Sequence, residues 1–200
     1  MKKILLGLVV LGILWYACAP HKTEIKNVGN AGRNIVVFGD SLSYGQGAAR
    51  EESYPALLAK SLGRPVINLG VKGETAVNAA RRINEPLQEN PYMVLLEFGG
   101  NDRIRSLPFE QTVAAMEQMV ESVQQAGAVA VIVDTGGTSL MSRYGKAYQK
   151  IAREKGAVFV PGILDGIFGK RSLMSDQIHP NAAGYKLVAD KVEKSIKPYL

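Results

Sequence analysis

The groups in this chain that could do covalent chemistry are few: a serine at the end of an apolar run, a histidine near the C-terminus, and an aspartate three residues before it. Ser41 follows Ile35-Val36-Val37-Phe38 in the stretch Asn34 to Gly47, where the run breaks into Gly39-Asp40-Ser41-Leu42. Only two histidines exist, His21 in a polar stretch and His179 in Ser175-Asp176-Gln177-Ile178-His179-Pro180. Imidazole is the side chain whose ordinary pKa lets it take up a proton near neutrality and return it later. In a helical turn, Asp176 would share a face with His179. Its carboxylate could then accept the Nδ1 proton, leaving Nε2 free to take a proton from a serine hydroxyl. The chemistry would be attack of Ser41 on an acyl carbonyl. Taken alone, these residues leave plainer readings open: a turn serine, a surface aspartate and a capping histidine. Pro180 has the φ to open a last helix.

Acyl attack creates an oxyanion, and removing one of its donors typically costs about 2.7–4 kcal/mol. Three candidates stand where other apolar runs end. They are the Ser41 N–H, the Gly73 N–H in Val71-Lys72-Gly73-Glu74-Thr75, and the Asn101 amide in Leu96-Glu97-Phe98-Gly99-Gly100-Asn101-Asp102. Without a Cβ, Gly73 allows close approach. Gly73 could equally do no more than shape a turn, and Asn101 could be an Asx-turn residue.

For these groups to meet, the chain must bring several run ends together. Short apolar, β-branched runs at 35–38, 66–69, 93–98, 128–134 and 158–160 read as strands. Amphipathic stretches at 54–62, about 76–87, 109–125, 144–155 and 181–197 read as helices between them. Within 109–125, Val113, Met116, Met119, Val120 and Val123 recur every three or four residues, a single buried stripe. Wholly apolar strands alternating with helices predict an α/β fold of three layers, with a parallel sheet covered on both faces. Ligands of such sheets bind at the C-terminal strand edge.

Totals narrow the rest. Of 200 residues, 46% are hydrophobic and 21% charged, ordinary values for one globular domain. The net charge of +6 includes Lys2 and Lys3 at the extreme N-terminus. Arg81/Arg82 and Lys170/Arg171 read as solvated charges without interleaved aromatics, so nucleic acid is not an expected partner. With two His, one Cys and no clustered acids, no metal or other cofactor is implied. The N-terminus, Lys2-Lys3 followed by an uncharged run from Ile4 to Ala19, has the plan of an export signal. As a helix that run would reach about 24 Å, short for a membrane span. The expected organisation is a signal or anchor at 1–19, a polar linker at 20–33 and a domain at 34–200. Cys18, the only cysteine, cannot form an intramolecular disulfide. Its setting resembles a bacterial lipoprotein signal, which implies lipidation there, although Trp15 departs from that pattern. The chain is therefore expected in the periplasm or envelope, held at the membrane through its N-terminus by a lipid on Cys18 or by an uncleaved segment.

The order Gly-Asp-Ser-Leu at 39–42, Gly73, Gly-Gly-Asn-Asp at 99–102 and Asp-Gln-Ile-His-Pro at 176–180 resembles the SGNH, or GDSL-type, hydrolases block by block over residues 34–200. Within that family the third block, Leu96 to Asp102, is most similar to the bacterial arylesterase, acyl-CoA thioesterase and lysophospholipase L1 branch. The resemblance implies a flavodoxin-like sheet of about five parallel strands and a serine esterase without cofactor. Ser41 would be nucleophile, His179 base and Asp176 its orienter, with Ser41 N–H, Gly73 N–H and Asn101 forming the oxyanion hole. Asp40 and Asp102 would then hold their loops, Glu97 would be a buried hydrogen-bonded group, and Glu74 would be solvated. The loop Thr135 to Gly145 should line an acyl pocket, with Leu140, Met141 and Tyr144 as apolar wall. It departs from the longer, proline-richer segment of the thioesterases, so short to medium acyl esters, lipid esters included, are the expected substrates. An envelope carbohydrate O-acetylesterase and a non-catalytic envelope binding module are the alternatives.

Overall fold

A computed structural model describes residues 24–139 and 141–200. The expected signal segment with Cys18, the first linker residues with His21, and the acyl-pocket candidate Leu140 lie outside the described residues.

In chain order the elements are β1 (Asn34–Gly39), α1 (Ser41–Tyr44), α2 (Tyr54–Leu62), β2 (Val66–Asn68), α3 (Ala76–Ala79), α4 (Asn84–Gln88), β3 (Pro91–Glu97), α5 (Gly100–Ile104), α6 (Phe109–Gln125), β4 (Val129–Val133), α7 (Ser142–Lys155), β5 (Val158–Val160) and α8 (Ala182–Ile196). The strands form one sheet in the order β2-β1-β3-β4-β5, and every pairing is parallel. Ladder partners run Val36 with Val94, Phe38 with Leu96 and Gly39 with Glu97 between the two central strands. The three-layer α/β arrangement is the one expected from the alternation of apolar runs and amphipathic stretches.

Because side chains alternate across a strand, each central strand feeds two cores. Val36, Phe38, Val94, Leu96 and Ile132 face the side covered by α6 and α7, where Met116, Met119, Val120, Tyr148 and Ile151 pack. Ile35, Val37, Met93, Leu95 and Val131 face the side covered by α2 and α8, against Leu58, Tyr185, Val188 and Val192. The methionines of α6 are packing groups, as their spacing predicts.

Three local departures have physical causes. The helix expected over 76–87 is broken into α3, a 3-10 turn at Ala80–Arg82, and α4. Pro86 lacks an N–H and cannot continue an upstream helix, but it is tolerated in the first turn of a new one. Pro180 does not open α8. Asn181 is its N-cap, the side-chain oxygen accepting from Gly184 N–H at 3.1 Å, and Pro180 stands just outside in an antiparallel bridge to Met174. Residues 24–33, read as linker, contain no helix or strand but are tied down: Asn27 Nδ2 donates to the carbonyls of Gln124 and Ala128, and Asn30 Nδ2 to that of Tyr92. Their polarity serves hydrogen bonds to backbone that the helices and strands leave over.

Leu95, fully buried in the central strand β3, tests this packing. Leu95→Ala should lower unfolding free energy by about 2–5 kcal/mol in urea titrations, with the slope on urea unchanged.

Candidate active site

Ser41 follows β1 after a single intervening residue, Asp40, in a turn that only particular residues allow. A Cβ on Gly39 would lie 2.1 Å from Ser43 Oγ and 2.9 Å from the Glu97 carbonyl oxygen, so glycine is required for the chain to turn so tightly. Asp40 then caps α1, its Oδ1 accepting from Leu42 N–H at 3.0 Å. Ser41 is thus the first residue of a one-turn helix at the carboxyl edge of the sheet. A residue in that position has a backbone N–H with no intrahelical acceptor.

His179 arrives from the far end of the chain. The expected helical turn around it is instead a bend: Ser175 N–H donates to the His179 carbonyl at 2.9 Å, and Asp176 Oδ1 accepts from the N–H groups of Ile178 and His179, each at 2.8 Å. The three-residue spacing still succeeds, because the bend folds Asp176 back on His179. Asp176 Oδ2 lies 2.7 Å from Nδ1, and Nε2 lies 3.1 Å from Ser41 Oγ. A carboxylate only accepts, so Nδ1 carries the proton and donates to Asp176, and Nε2 is left to accept from the Ser41 hydroxyl. Partial burial of Asp176 opposes its ionisation. The bonds from the His179 ring and from the two N–H groups outweigh that and hold its carboxyl below the usual range. Ser41 and His179 are buried, whereas the Asp176 side chain is 47% exposed.

Asn101 lies in the first turn of α5, beyond β3. Its Nδ2 donates one hydrogen to Asp40 Oδ2 at 2.8 Å, the second has no acceptor among the described residues, and Asn101 lines the same pocket as Ser41. Gly73 has φ +73°, a backbone conformation suited to glycine, and Arg105 Nη2 donates to its carbonyl at 2.7 Å. Gly73 is not among the residues lining the pocket described next.

A pocket of about 230 Å³ opens beside Ser41, His179 and Asn101. Thr135, Gly136, Thr138 and Met141 of the loop after β4 line it, as expected of that loop, together with Leu164 and Phe168, which sequence reasoning missed. Ile104 and Ile178 complete the apolar wall, and Arg103 adds a cation. Tyr144, expected in this wall, is instead in the core behind it, 5.0 Å from Phe109 and 6.2 Å from Tyr148 between ring centroids. α7 turns that side chain toward α6. Leu164 and Phe168 come from the irregular segment after β5, where no periodicity marks a face.

The supporting carboxyls are placed less simply than their sequence positions indicate. Asp102 does not hold the Asn101 loop alone. Fully buried, it accepts from Ala76 N–H at 2.9 Å and from Thr112 Oγ1 at 3.1 Å, and so joins the turns after β2 and β3. Glu74 and Arg82, read as solvated, form a largely buried pair. Arg82 Nε donates to Glu74 Oε1 at 2.8 Å, Nη2 to Oε2, and the guanidinium stacks 4.4 Å above Phe38. Among the described residues, no group of three or more His, Cys, Asp or Glu side chains is placed to hold a metal.

The model of the GDSL-like Lipase/Acylhydrolase family matches residues 37–187. The chain belongs to that family. Its relatives include the Escherichia coli K12 protein named Thioesterase 1/protease 1/lysophospholipase L1, 29% identical over 180 residues that cover 84% of this chain and 85% of the relative. The Arylesterase of Vibrio mimicus is 29% identical over 185 residues, covering 85% and 91%. The crystal structure of the psychrotrophic esterase EstA from Pseudoalteromonas sp., inhibited by monoethylphosphonate, superposes with a TM-score of 0.75 at 28% identity, covering 84% and 98%. With the family goes the reaction class, hydrolysis of carboxylic esters at a serine.

Asp102→Ala would leave the Ala76 N–H and the Thr112 hydroxyl buried without an acceptor. It should cost roughly 2–4 kcal/mol in thermal or urea unfolding, and Asp102→Asn, which keeps an acceptor oxygen, should cost less.

Proposed function

We propose that this chain is an exported serine esterase acting on short to medium acyl esters, with Ser41 as nucleophile, His179 as general base and Asp176 as orienter. The observation that carries the reading is the contact of His179 Nε2 with Ser41 Oγ at 3.1 Å, at the polar end of an otherwise largely apolar pocket. His179 takes the Ser41 proton as Oγ attacks the acyl carbonyl. The oxyanion is received by Ser41 N–H and the free Asn101 N–H, with Gly73 N–H, which the family resemblance implies but which does not line the pocket, as the third donor. Protonated His179 then gives its proton to the departing alkoxide oxygen. Water, deprotonated by His179, attacks the acyl-enzyme and releases the acid, regenerating Ser41.

The size of the pocket supports the acyl range. About 230 Å³ lies below the roughly 300–1,000 Å³ of sites that bury drug-sized ligands. Its wall of Met141, Leu164, Phe168 and Ile178 favours an alkyl chain over the acetyl group of a glycan ester. Arg103 on the same wall offers a cation to an anionic headgroup, which favours lysophospholipid-like esters among lipid substrates. For the N-terminus, the Lys2-Lys3 charge, the apolar run to Ala19 and the place of Cys18 support export and a lipid at Cys18.

Ser41→Ala should reduce p-nitrophenyl butyrate turnover by at least about 10³-fold with circular dichroism unchanged, and His179→Ala should do comparable damage. Added to Ser41→Ala, His179→Ala should cost little more, because the two act as a unit. Activity retained by Ser41→Ala would refute the assignment. Phe168→Ala should move the chain-length optimum of p-nitrophenyl esters upward; an unchanged profile would place the acyl chain elsewhere. Mass spectrometry of the mature protein should find Cys18 as a diacylated N-terminal residue, against an intact Met1 if the segment is neither cleaved nor lipidated.

A further inference from the structure

Behind Asn101 lies a buried group that the hydrolytic steps do not use. The register of β1 on β3 sets Gly39 opposite Glu97, so the side chain of Glu97 enters beside Asp40. Glu97 is fully buried and Asp40 is 3% exposed. Glu97 Oε2 accepts from Ser43 Oγ at 2.9 Å, and Ser43 Oγ lies 2.8 Å from Tyr54 Oη. Since the Ser43 proton goes to Glu97, the Tyr54 hydroxyl donates to Ser43. The other oxygen, Oε1, is buried and finds no donor if both carboxyls are ionised. Its neighbour is Asp40, the residue after Gly39 on the facing strand: the Asp40 charge pushes the Glu97 carboxyl up, the Asp40 N–H pulls it back, and the Glu97 carboxyl lowers Asp40 in turn.

Two carboxylates in contact, out of water and without a cation, are held apart by repulsion unless a proton lies between them. Among the described residues neither carboxyl has a Lys or Arg within ion-pair distance. The ionisable groups facing them are Tyr54 and Tyr185, both pushed up by burial and by these carboxyls, and His179, whose field reaches Asp40. Burial, then the Asp40 charge, drives Glu97 far above the carboxylate range. Burial also raises Asp40, but the Leu42 N–H, the Glu97 carboxyl and the Asn101 amide pull back, and it stops at about 6. Glu97 Oε1 finds no donor, whereas each Asp40 oxygen accepts from one, and that geometry assigns the shared proton to Glu97. Asp40 is left as the carboxylate, with Oδ1 accepting from Leu42 N–H and Oδ2 from Asn101 Nδ2.

We infer that Glu97 is a positioning residue, a carboxylic acid whose O–H donates to Asp40 and thereby fixes the carboxylate that aims the Asn101 amide at the oxyanion. The chain of donors runs Tyr54 to Ser43 to Glu97 to Asp40, and Asp40 also accepts from Asn101. Neutral Glu97 satisfies the buried pair without adding a second negative charge beside a developing oxyanion. The inference rests on the proposed role of Asn101 in that hole.

A double-mutant cycle with p-nitrophenyl butyrate tests it. Asn101→Ala should lower kcat about 10²-fold. Glu97→Leu should lower kcat roughly tenfold or more with KM within about twofold, because a misaimed donor is felt in the transition state and not in ground-state binding. Glu97→Gln, whose amide can donate to Asp40 and accept from Ser43, should restore kcat to within about threefold of the parent. In the Asn101→Ala background, Glu97→Leu should have almost no further effect on kcat. An infrared measurement on the unmodified protein at pH 7 stands apart from folding of any variant: a protonated-carboxyl C=O band should be present and should vanish in Glu97→Gln. The inference is overturned if that band is missing, if Glu97→Gln is as slow as Glu97→Leu, or if the Glu97→Leu loss persists in full without Asn101. If Asn101→Ala alone leaves kcat unchanged, it is the oxyanion role of Asn101 that fails, while the infrared band still decides the protonation of Glu97.

Discussion

All strands of the sheet run the same way, and that constraint makes the site possible. A parallel sheet sends every strand's C-terminus to one edge, so chain segments remote in sequence emerge side by side. Ser41 follows β1, the Gly73 turn follows β2, Asn101 follows β3, the pocket loop from Thr135 follows β4, and Asp176 and His179 follow β5. The hydrogen bond between His179 and Ser41 closes across 138 residues of chain. No local preference could bring those two groups together. The burial of both sheet faces, with Leu95 and Leu96 pointing to opposite cores, holds the edge in place.

That edge concentrates buried polar groups, and each needs partners if the fold is not to bear their desolvation. Asp102 joins the turns after β2 and β3 by accepting from both sides. Glu74 is matched to Arg82, whose guanidinium also covers Phe38. Asp40 connects the helix that carries Ser41 to the amide of Asn101, and Glu97 completes it from the strand beneath. The groups placed for chemistry are thus seated on a layer of acceptors and donors belonging to the fold itself. Asp40 and Asp102 each accept from two elements and so tie the turns of this edge together.

Much of this was legible in the residues, for reasons that can be stated. The apolar, β-branched runs announce buried parallel strands because both of their faces must be covered. Scarcity singled out His179 and the spacing singled out Asp176, a spacing that works in a bend as well as in a helix, but only the block-by-block resemblance to the SGNH hydrolases grouped them with Ser41 as a set. Pro86 marked a break within 76–87 that the apolar pattern overrode. Arg82 and Glu74 misled because charge alone does not reveal that a guanidinium will lie on an aromatic face. The pocket residues Leu164 and Phe168 were hidden in an irregular segment without a period, and Tyr144 was assigned to the pocket because a loop's apolar members cannot be sorted by face before the following helix is oriented. Glu97 could be read as buried, but its pairing with Asp40 depends on the register between β1 and β3, which one strand's residues do not encode.

The central claim is that this geometry makes Ser41, alone among the chain's serines, a nucleophile. Peptide mapping by mass spectrometry after reaction with a fluorophosphonate measures it directly. A single adduct on Ser41, formed in step with loss of esterase activity and absent in His179→Ala, is the predicted result. An adduct on another residue, or full inactivation with Ser41 unmodified, would contradict it.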